Sequence, residues 1–320
     1  MHHVRVAGTG SYVPEGRLTN TDLERLVETN DEWIRTRTGI SERRIAGPEQ
    51  ATSDLAYQAA KAALADAGLD AAALGLIVVG TSTPDHPFPS VACKLQTRLG
   101  AGQIAAFDVN AACTGFLSAL QVAEQFVRAG AAEHALVVGA DTMSRIIDYT
   151  DRGTCILFGD GAGAFVLSRS GAPGLLASRT YSDGSHYDKL YVEGGGSRSP
   201  EEGHTPRIRM NGRVTFQLAV RGMSAATQDV LTAGGLTLRD VDHLVPHQAN
   251  QRILTAVAEN LGFPPERVVS TIRDFGNNSA ASVPLAFDLG VKRGLIKRGD
   301  TAVLAAFGGG MAWGAAALTY

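Results

Sequence analysis

Three cysteines in 320 residues, with no two at CxxC spacing, give this chain neither a disulfide framework nor a cysteine-based zinc site. A reducing cytoplasmic setting is the expectation. Charge of one sign is lacking too: 29 basic against 32 acidic side chains leave a net charge of −3, which argues against a nucleic-acid binder. Apolar runs such as residues 74–79 fall far short of the roughly 20 residues a membrane helix needs, and the start, Met1-His2-His3-Val4-Arg5-Val6, has no secretory hydrophobic region. No membrane or targeting segment is expected. What is present is an ordinary globular composition, 44% hydrophobic with a mean hydropathy of 0.00, enough for one large domain or two smaller ones.

The residue that stands out is Cys113. It lies in Asn110-Ala111-Ala112-Cys113-Thr114-Gly115-Phe116, after the strand-like run 104–109 and before Phe116, Leu117, Leu120, Ala123, Phe126 and Val127 at helical spacing. A thiol at a helix N-terminus faces the positive end of the dipole, which is expected to favour the thiolate. A lone cysteine is ordinarily a small buried hydrophobe, and Cys93 and Cys155, in runs without this setting, are read as core. Two companions mark Cys113 as a nucleophile. Val245-Pro246-His247-Gln248-Ala249-Asn250 sets a histidine after a short apolar strand, and Phe275-Gly276-Asn277-Asn278-Ser279-Ala280-Ala281-Ser282 sets amides before a helix.

The second half of the chain parallels the first. Ala67-Gly68-Leu69 and Gly234-Gly235-Leu236 each close a helix and lead to a strand, 76–80 and 241–245. Helices then end at Arg98-Leu99-Gly100 and Asn260-Leu261-Gly262, and the segments of Cys113 and Asn277 open helices ending near Gly130 and Gly294. A strand, a glycine turn and a last strand follow in both. The order strand, helix, strand, helix, strand, strand predicts an α/β body of layered, mostly parallel sheets with pseudo-twofold symmetry, in halves 1–170 and 171–320. Ligands in such sheets bind at the carboxyl ends of strands, where Cys113, His247 and Asn277 all fall.

Neither glycine cluster reads as a phosphate cradle. Residues 159–164 run into the apolar strand Phe165-Val166-Leu167 rather than a helix. Gly308-Gly309-Gly310 suits a backbone role, an N–H brought close to a reacting carbonyl. From Ser182 to Arg213 the pattern breaks into a surface loop. His186 and His204 there lack metal-ligand spacing, and Arg207, Arg209, Arg213 and Arg221 form a local basic cluster suited, if it faces a site entrance, to an acidic or phosphate-bearing partner.

These residues resemble the β-ketoacyl-acyl-carrier-protein synthase III family, the initiating condensing enzymes of bacterial fatty-acid synthesis, with the thiolase fold. The similarity runs near full length through Gly8-Thr9-Gly10-Ser11-Tyr12-Val13-Pro14, Asn30-Asp31-Glu32-Trp33-Ile34, Thr36-Arg37-Thr38-Gly39-Ile40, Asp151-Arg152-Gly153-Thr154, Phe158 to Ala164, the three catalytic motifs and Phe307-Gly308-Gly309-Gly310. Elongating relatives carry a second histidine where this chain has Asn277, and thiolases use a Cys-His-Cys set.

The resemblance implies a layered α-β-α-β-α fold and a decarboxylative condensation of a short acyl-coenzyme A with malonyl-acyl carrier protein. Cys113 would take the acyl group, the N–H groups of Cys113 and Gly309 would hold the oxyanion, and His247 and Asn277 would donate to the forming enolate. Coenzyme A would then be a substrate, with neither cofactor nor metal required. Trp33, Arg37 and Arg152 would line its entrance, with Gly212, Phe216 and Asn250 along the pantetheine channel. Arg252 would contact the carrier protein, Gln217 standing where relatives often have lysine. Met143 would line the acyl pocket, and Phe88 would cap the partner's pocket in a homodimer. A same-fold acyltransferase of specialised metabolism and a non-catalytic partner subunit are the rival readings.

Overall fold

The computed structural model describes residues 1–198 and 205–320. His204 lies outside the described residues. From the N-terminus come β1 (His3–Tyr12), β2 (Gly16–Thr19), α1 (Asn20–Leu23), α2 (Asp31–Thr38) and β3 (Glu42–Ile45). The first repeat continues through α3 (Thr52–Ala67), β4 (Leu76–Gly80), α4 (Val91–Leu99), β5 (Ala105–Val109), α5 (Gly115–Arg128), β6 (His134–Thr142), α6 (Arg152–Cys155) and β7 (Asp160–Ser170). The second holds β8 (Leu175–Ser182), β9 (Leu190–Glu193), β10 (Arg207–Met210), α7 (Gly212–Gly234), β11 (His243–Pro246), α8 (Gln251–Leu261), α9 (Ile272–Phe275), α10 (Ser282–Lys292), β12 (Thr301–Gly308) and β13 (Ala312–Thr319).

Periodicity explains the layering. The β4 run Leu-Ile-Val-Val-Gly is buried throughout, as a central parallel strand covered on both faces must be. It sits in a sheet ordered β1-β7-β6-β4-β5, and the second sheet runs β8-β13-β12-β11. Each is mixed. β4 pairs parallel with β5 and β6, β11 parallel with β12, and the other ladders are antiparallel.

Helices α3 and α4 pack on the outer face of the first sheet, with Leu55, Ala59, Ala63 and Leu95 against Ile77, Val79 and Leu136. Met223, Val230, Ile253 and Val257 of α7 and α8 cover the second sheet against Val303 and Ala305. Between the sheets, α5 and α10 share one core with both. An edge-to-face chain crosses this middle layer: Phe116–Phe165 and Phe165–Phe287 have centroids 5.0 Å apart, and Phe287–Tyr320 5.2 Å. Five layers, α-β-α-β-α, result.

The repeat is closer in the loops than in strand lengths. The counterpart of β5 in the second half shrinks to one bridge, Leu244 to Val268. Pro264 and Pro265 precede it, cannot donate to a ladder, and open a single 3₁₀ turn over residues 265–267. Helices α5 and α10 are entered alike, through 3₁₀ turns at residues 112–114 and 279–281 whose first residues, Ala112 and Ser279, have φ of +47° and +50°. That register makes Ala280 the counterpart of Cys113, and Asn110 that of Asn277. The cysteine and asparagine segments open equivalent helices, as expected, but the two side chains stand three residues apart in the repeat.

The stretch read as a loop from Ser182 to Arg213 holds an antiparallel ribbon, β9 with β10, pairing Leu190 with Met210 and Ile208 with Val192. The alternation Ile208/Met210 is too short to stand out by period in a charged, glycine-rich context. Cys93, expected in the core, is exposed on α4, because only Val91, Ala92 and Leu95 turn inward. Cys155 is buried as expected.

Candidate active site

Cys113 is placed by close backbone packing. It is 8% exposed, one turn before α5, and a Cβ on Gly308 would lie 2.6 Å from its nitrogen. One on Gly80 would lie 2.3 Å from the carbonyl carbon of Gly115. Side chains at either glycine would push the cysteine turn off the strand ends. Burial pushes the Cys113 thiol up to about 12, with the Asp141 carboxylate adding to it and the Ser279 hydroxyl opposing it. The direction is opposite to the depression expected from a helix N-terminus: burial favours the thiol over the thiolate.

His247 leaves β11 with its N–H donated to the Ala305 carbonyl at 2.7 Å, and it is 2% exposed. Burial pulls its imidazole down to about 3, so the ring is neutral at physiological pH. Its Nδ1 meets the Ser282 hydroxyl at 2.6 Å, which leaves Nε2 for the cavity that His247 lines. Asn277 is stitched to the segment before β7: its N–H donates to Leu157 and its carbonyl accepts from Gly159, at 2.9 and 3.0 Å. Its Oδ1 accepts from the Ser279 N–H at 2.8 Å. With the oxygen so held, the amide orientation is set and Nδ2 is the free donor.

All three side chains line one cavity of about 1360 Å³, together with Gly309. The N–H groups of Cys113 and Gly309 have no acceptor among the described residues. The ribbon presses on this wall: a Cβ on Gly309 would lie 2.7 Å from the Leu190 carbonyl oxygen. Trp33, Arg37, Gly212, Phe216, Asn250 and Arg252 line the same cavity. The Arg152 guanidinium lies 4.8 Å over the Trp33 ring and Arg37 lies 5.8 Å from it, so both charges gather on one aromatic face group. Arg152 also donates to the Glu28 carbonyl and stands just outside the cavity lining. Met143, 3% exposed, lines the interior. Phe88, 85% exposed, stays outside its own chain's cavity.

A buried thiol, a neutral imidazole, a free amide donor and two free backbone N–H groups around one cavity can take an acyl group and stabilise negative charge on thioester oxygens. Comparison with known proteins points the same way. The family model described as 3-oxoacyl-[acyl-carrier-protein (ACP)] synthase III matches residues 107–184, and the model of its C-terminal part matches residues 231–320. The β-ketoacyl-[acyl-carrier-protein] synthase III of Alkalilimnicola ehrlichii is 52% identical over 324 aligned positions covering all of both chains. That of Xanthomonas campestris is 51% identical over 99% of this chain and 98% of its own. The chain belongs to the β-ketoacyl-acyl-carrier-protein synthase III family.

Solved structures agree. The 3-oxoacyl-[acyl-carrier-protein] synthase III of Aquifex aeolicus superposes with a TM-score of 0.93 at 46% identity, covering 99% of this chain and 100% of that one. The protein is thus an enzyme of the acyltransferase-type condensing class with the thiolase fold.

Within this synthase fold the basic cluster read from sequence is divided. Arg207 donates to the Ile147 carbonyl, and Arg209 pairs with Glu193 at 2.8 Å and with Asp148 at 3.7 Å. Arg213 and Arg221 remain exposed on α7. His186 is half-buried beside the ribbon, and among the described residues no group of His, Cys, Asp and Glu is placed to hold a metal. Sequence reasoning missed Leu190, Ile208 and Met210 as cavity wall. It also missed the buried Asp141, which accepts from Ser82, Thr83 and Ala280 and ties the first sheet to the Asn277 turn. Nothing in the spacing of a lone aspartate at a strand end marks that tie.

Proposed function

We propose that this synthase condenses an acetyl- or other short acyl-coenzyme A with malonyl-acyl carrier protein, giving a 3-oxoacyl-acyl carrier protein, coenzyme A and CO2, and so initiates fatty-acid synthesis. The observation that carries the assignment of roles is that Asn277, with its Nδ2 free, and an uncharged His247, with its Nε2 unpartnered among the described residues, line the same cavity as Cys113. In the first half-reaction the Cys113 sulfur bonds the acyl carbon, the bond to coenzyme A sulfur breaks, and the thiol proton leaves with coenzyme A. The N–H groups of Cys113 and Gly309 receive the oxyanion, each worth about 3 kcal/mol.

In the second half-reaction the malonyl carbon–carboxylate bond breaks. Its electron pair enters the enolate, whose oxygen accepts from His247 and Asn277. The enolate carbon attacks the acyl-Cys113 carbonyl, CO2 departs, and the thiolate leaves and takes one proton from solvent to restore the thiol. Neutral donors suit this step. A fixed positive charge would bind the malonyl carboxylate that must depart, whereas hydrogen-bond donors strengthen as the enolate charge grows.

Trp33, Arg37 and Arg152 are assigned to the nucleotide end of coenzyme A, and Gly212, Phe216 and Asn250 to the pantetheine arm. Arg252, exposed and lining the cavity, is assigned to the carrier protein. Met143 is assigned to the acyl pocket. A homodimer fits the edge of β5, which among the described residues has only β4 as neighbour, and the exposed Phe88 just before the α4 N-terminus that Asp108 of β5 caps. The halves 1–170 and 171–320 are then one nucleophile-bearing and one donor-bearing unit, working in the cytoplasm.

The test is intact-protein mass after incubation with acetyl-, longer and branched acyl-coenzyme A esters, followed by a malonyl-acyl carrier protein chase. An adduct on Cys113 that disappears with CO2 release and a β-ketoacyl-carrier product is expected. An adduct that survives the chase, or none from any thioester with folded, reduced protein, overturns the proposal.

A further inference from the structure

The neutral imidazole of His247 has two tautomers, and only one can donate into the cavity. Which one is present depends on the group at Nδ1, and that group is Ser282, the first residue of α10. Ser282 is 0% exposed, its hydroxyl lies 2.6 Å from Nδ1, and it has no other hydrogen-bond partner among the described residues. Two arrangements are possible. If Nδ1 carried the proton it would donate to the Ser282 oxygen, and the serine's own proton would point into packed protein with no acceptor. If the hydroxyl donates to Nδ1, the buried serine proton has its acceptor and the ring's proton sits on Nε2, at the cavity that His247 lines. Buried polar hydrogens without acceptors are costly, so the second arrangement wins.

Burial holds the ring neutral, and Ser282, at the first position of α10, supplies the hydrogen bond at Nδ1. Asn277 and Ser282 flank the same short 3₁₀ turn, residues 279–281, so one segment carries both the amide donor and the hydroxyl at the imidazole.

We propose that Ser282 is a positioning residue that donates its hydroxyl proton to His247 Nδ1 and thereby locks the Nε2–H tautomer needed to stabilise the malonyl-derived enolate. The proposal rests on the condensing reaction assigned above. Ser282 touches no substrate, and its contribution runs through the imidazole alone. Acyl transfer to Cys113 does not use the His247 donor and is independent of it.

The experiment combines a spectrum with separated half-reactions. Histidine-selective ¹⁵N labelling of the full chain, with His247→Gln used to assign the His247 signal, reads the tautomer directly. A pyridine-like Nδ1 and a pyrrole-like Nε2 are expected at neutral pH, and a protonated Nδ1 overturns the proposal whatever the kinetics. In Ser282→Ala the rate of CO2 release from malonyl-acyl carrier protein by acylated enzyme should fall on the order of 10- to 100-fold. The acylation rate and the KM for the carrier should stay within about twofold of the parent. Ser282→Thr, which keeps the hydroxyl, should restore most of the loss. Equal loss in both half-reactions in folded Ser282→Ala, or no loss in either, overturns the role. An unmodified enzyme that neither acylates nor decarboxylates refutes the synthase reading instead, and the spectrum still decides the tautomer.

Discussion

Replacing Asn277 by alanine separates the two half-reactions, and the structure sets the size of the effect. Asn277 makes one side-chain contact that holds it, Oδ1 accepting from the Ser279 N–H at 2.8 Å, and leaves Nδ2 as a donor to the cavity. Truncation removes one donor to the enolate oxygen, worth about 2.7–4 kcal/mol, so condensation should slow about 100- to 1000-fold. It also leaves the buried Ser279 N–H without an acceptor, for about 1–3 kcal/mol of stability. Acylation of Cys113 uses neither group, so its rate should hardly change. Asn277→Asp is the control, since it keeps an oxygen for Ser279 while withdrawing the donor. The assay is the acyl adduct by intact mass against time, CO2 release from malonyl-acyl carrier protein by the pre-acylated protein, and a thermal melt of each variant. Equal losses in acylation and condensation in a folded Asn277→Ala protein refute the assignment.

Two further outcomes follow from the buried thiol and imidazole. With the Cys113 thiol at about 12, iodoacetamide labelling of Cys113, tracked by peptide mass, should accelerate about tenfold per pH unit from 7 to 9; a plateau below pH 8 would show that the helix dipole prevails. The His247 ring, at about 3 when folded, is expected near 6.5 when unfolded, so the unfolded chain takes up the extra proton as pH falls from 6.5 towards 3. Stability should drop through that window, with His247→Gln dropping less in a pH series of denaturant melts. The decarboxylation rate should stay level from pH 7 to 5.5, and a fall centred near 6.5 in a still-folded enzyme counts against a neutral donor.

Much of the site was legible because each functional residue closes a recognisable local pattern. Cys113 follows an apolar strand and precedes an amphipathic helix, and His247 and Asn277 stand in comparable breaks between apolar segments. The glycine signals also held where a helix ends, at Gly68, Gly100, Gly235 and Gly262, all with left-handed φ. The ribbon was missed because four-residue strands in a charged, glycine-rich stretch carry too little alternation to register, yet Leu190, Ile208 and Met210 form cavity wall. Cys93, expected in the core from its apolar run, is exposed because the helix turns Val91, Ala92 and Leu95 inward and leaves position 93 outside.

Sequence alone determined the layered α/β architecture and the repeat, and singled out the candidate thiol, imidazole and amide, since all of these are local periodicity or local residue chemistry. Tertiary structure decided their electrical state. Whether a thiol feels a helix dipole or its own desolvation, and which imidazole nitrogen bears the proton, depends on what distant segments of the chain pack around them. Gly308 against Cys113, Asp141 across to Ala280 and Ser282 against His247 are contacts between segments far apart in sequence. Burial of charge is a property of the whole assembled core, and no short window of residues contains it.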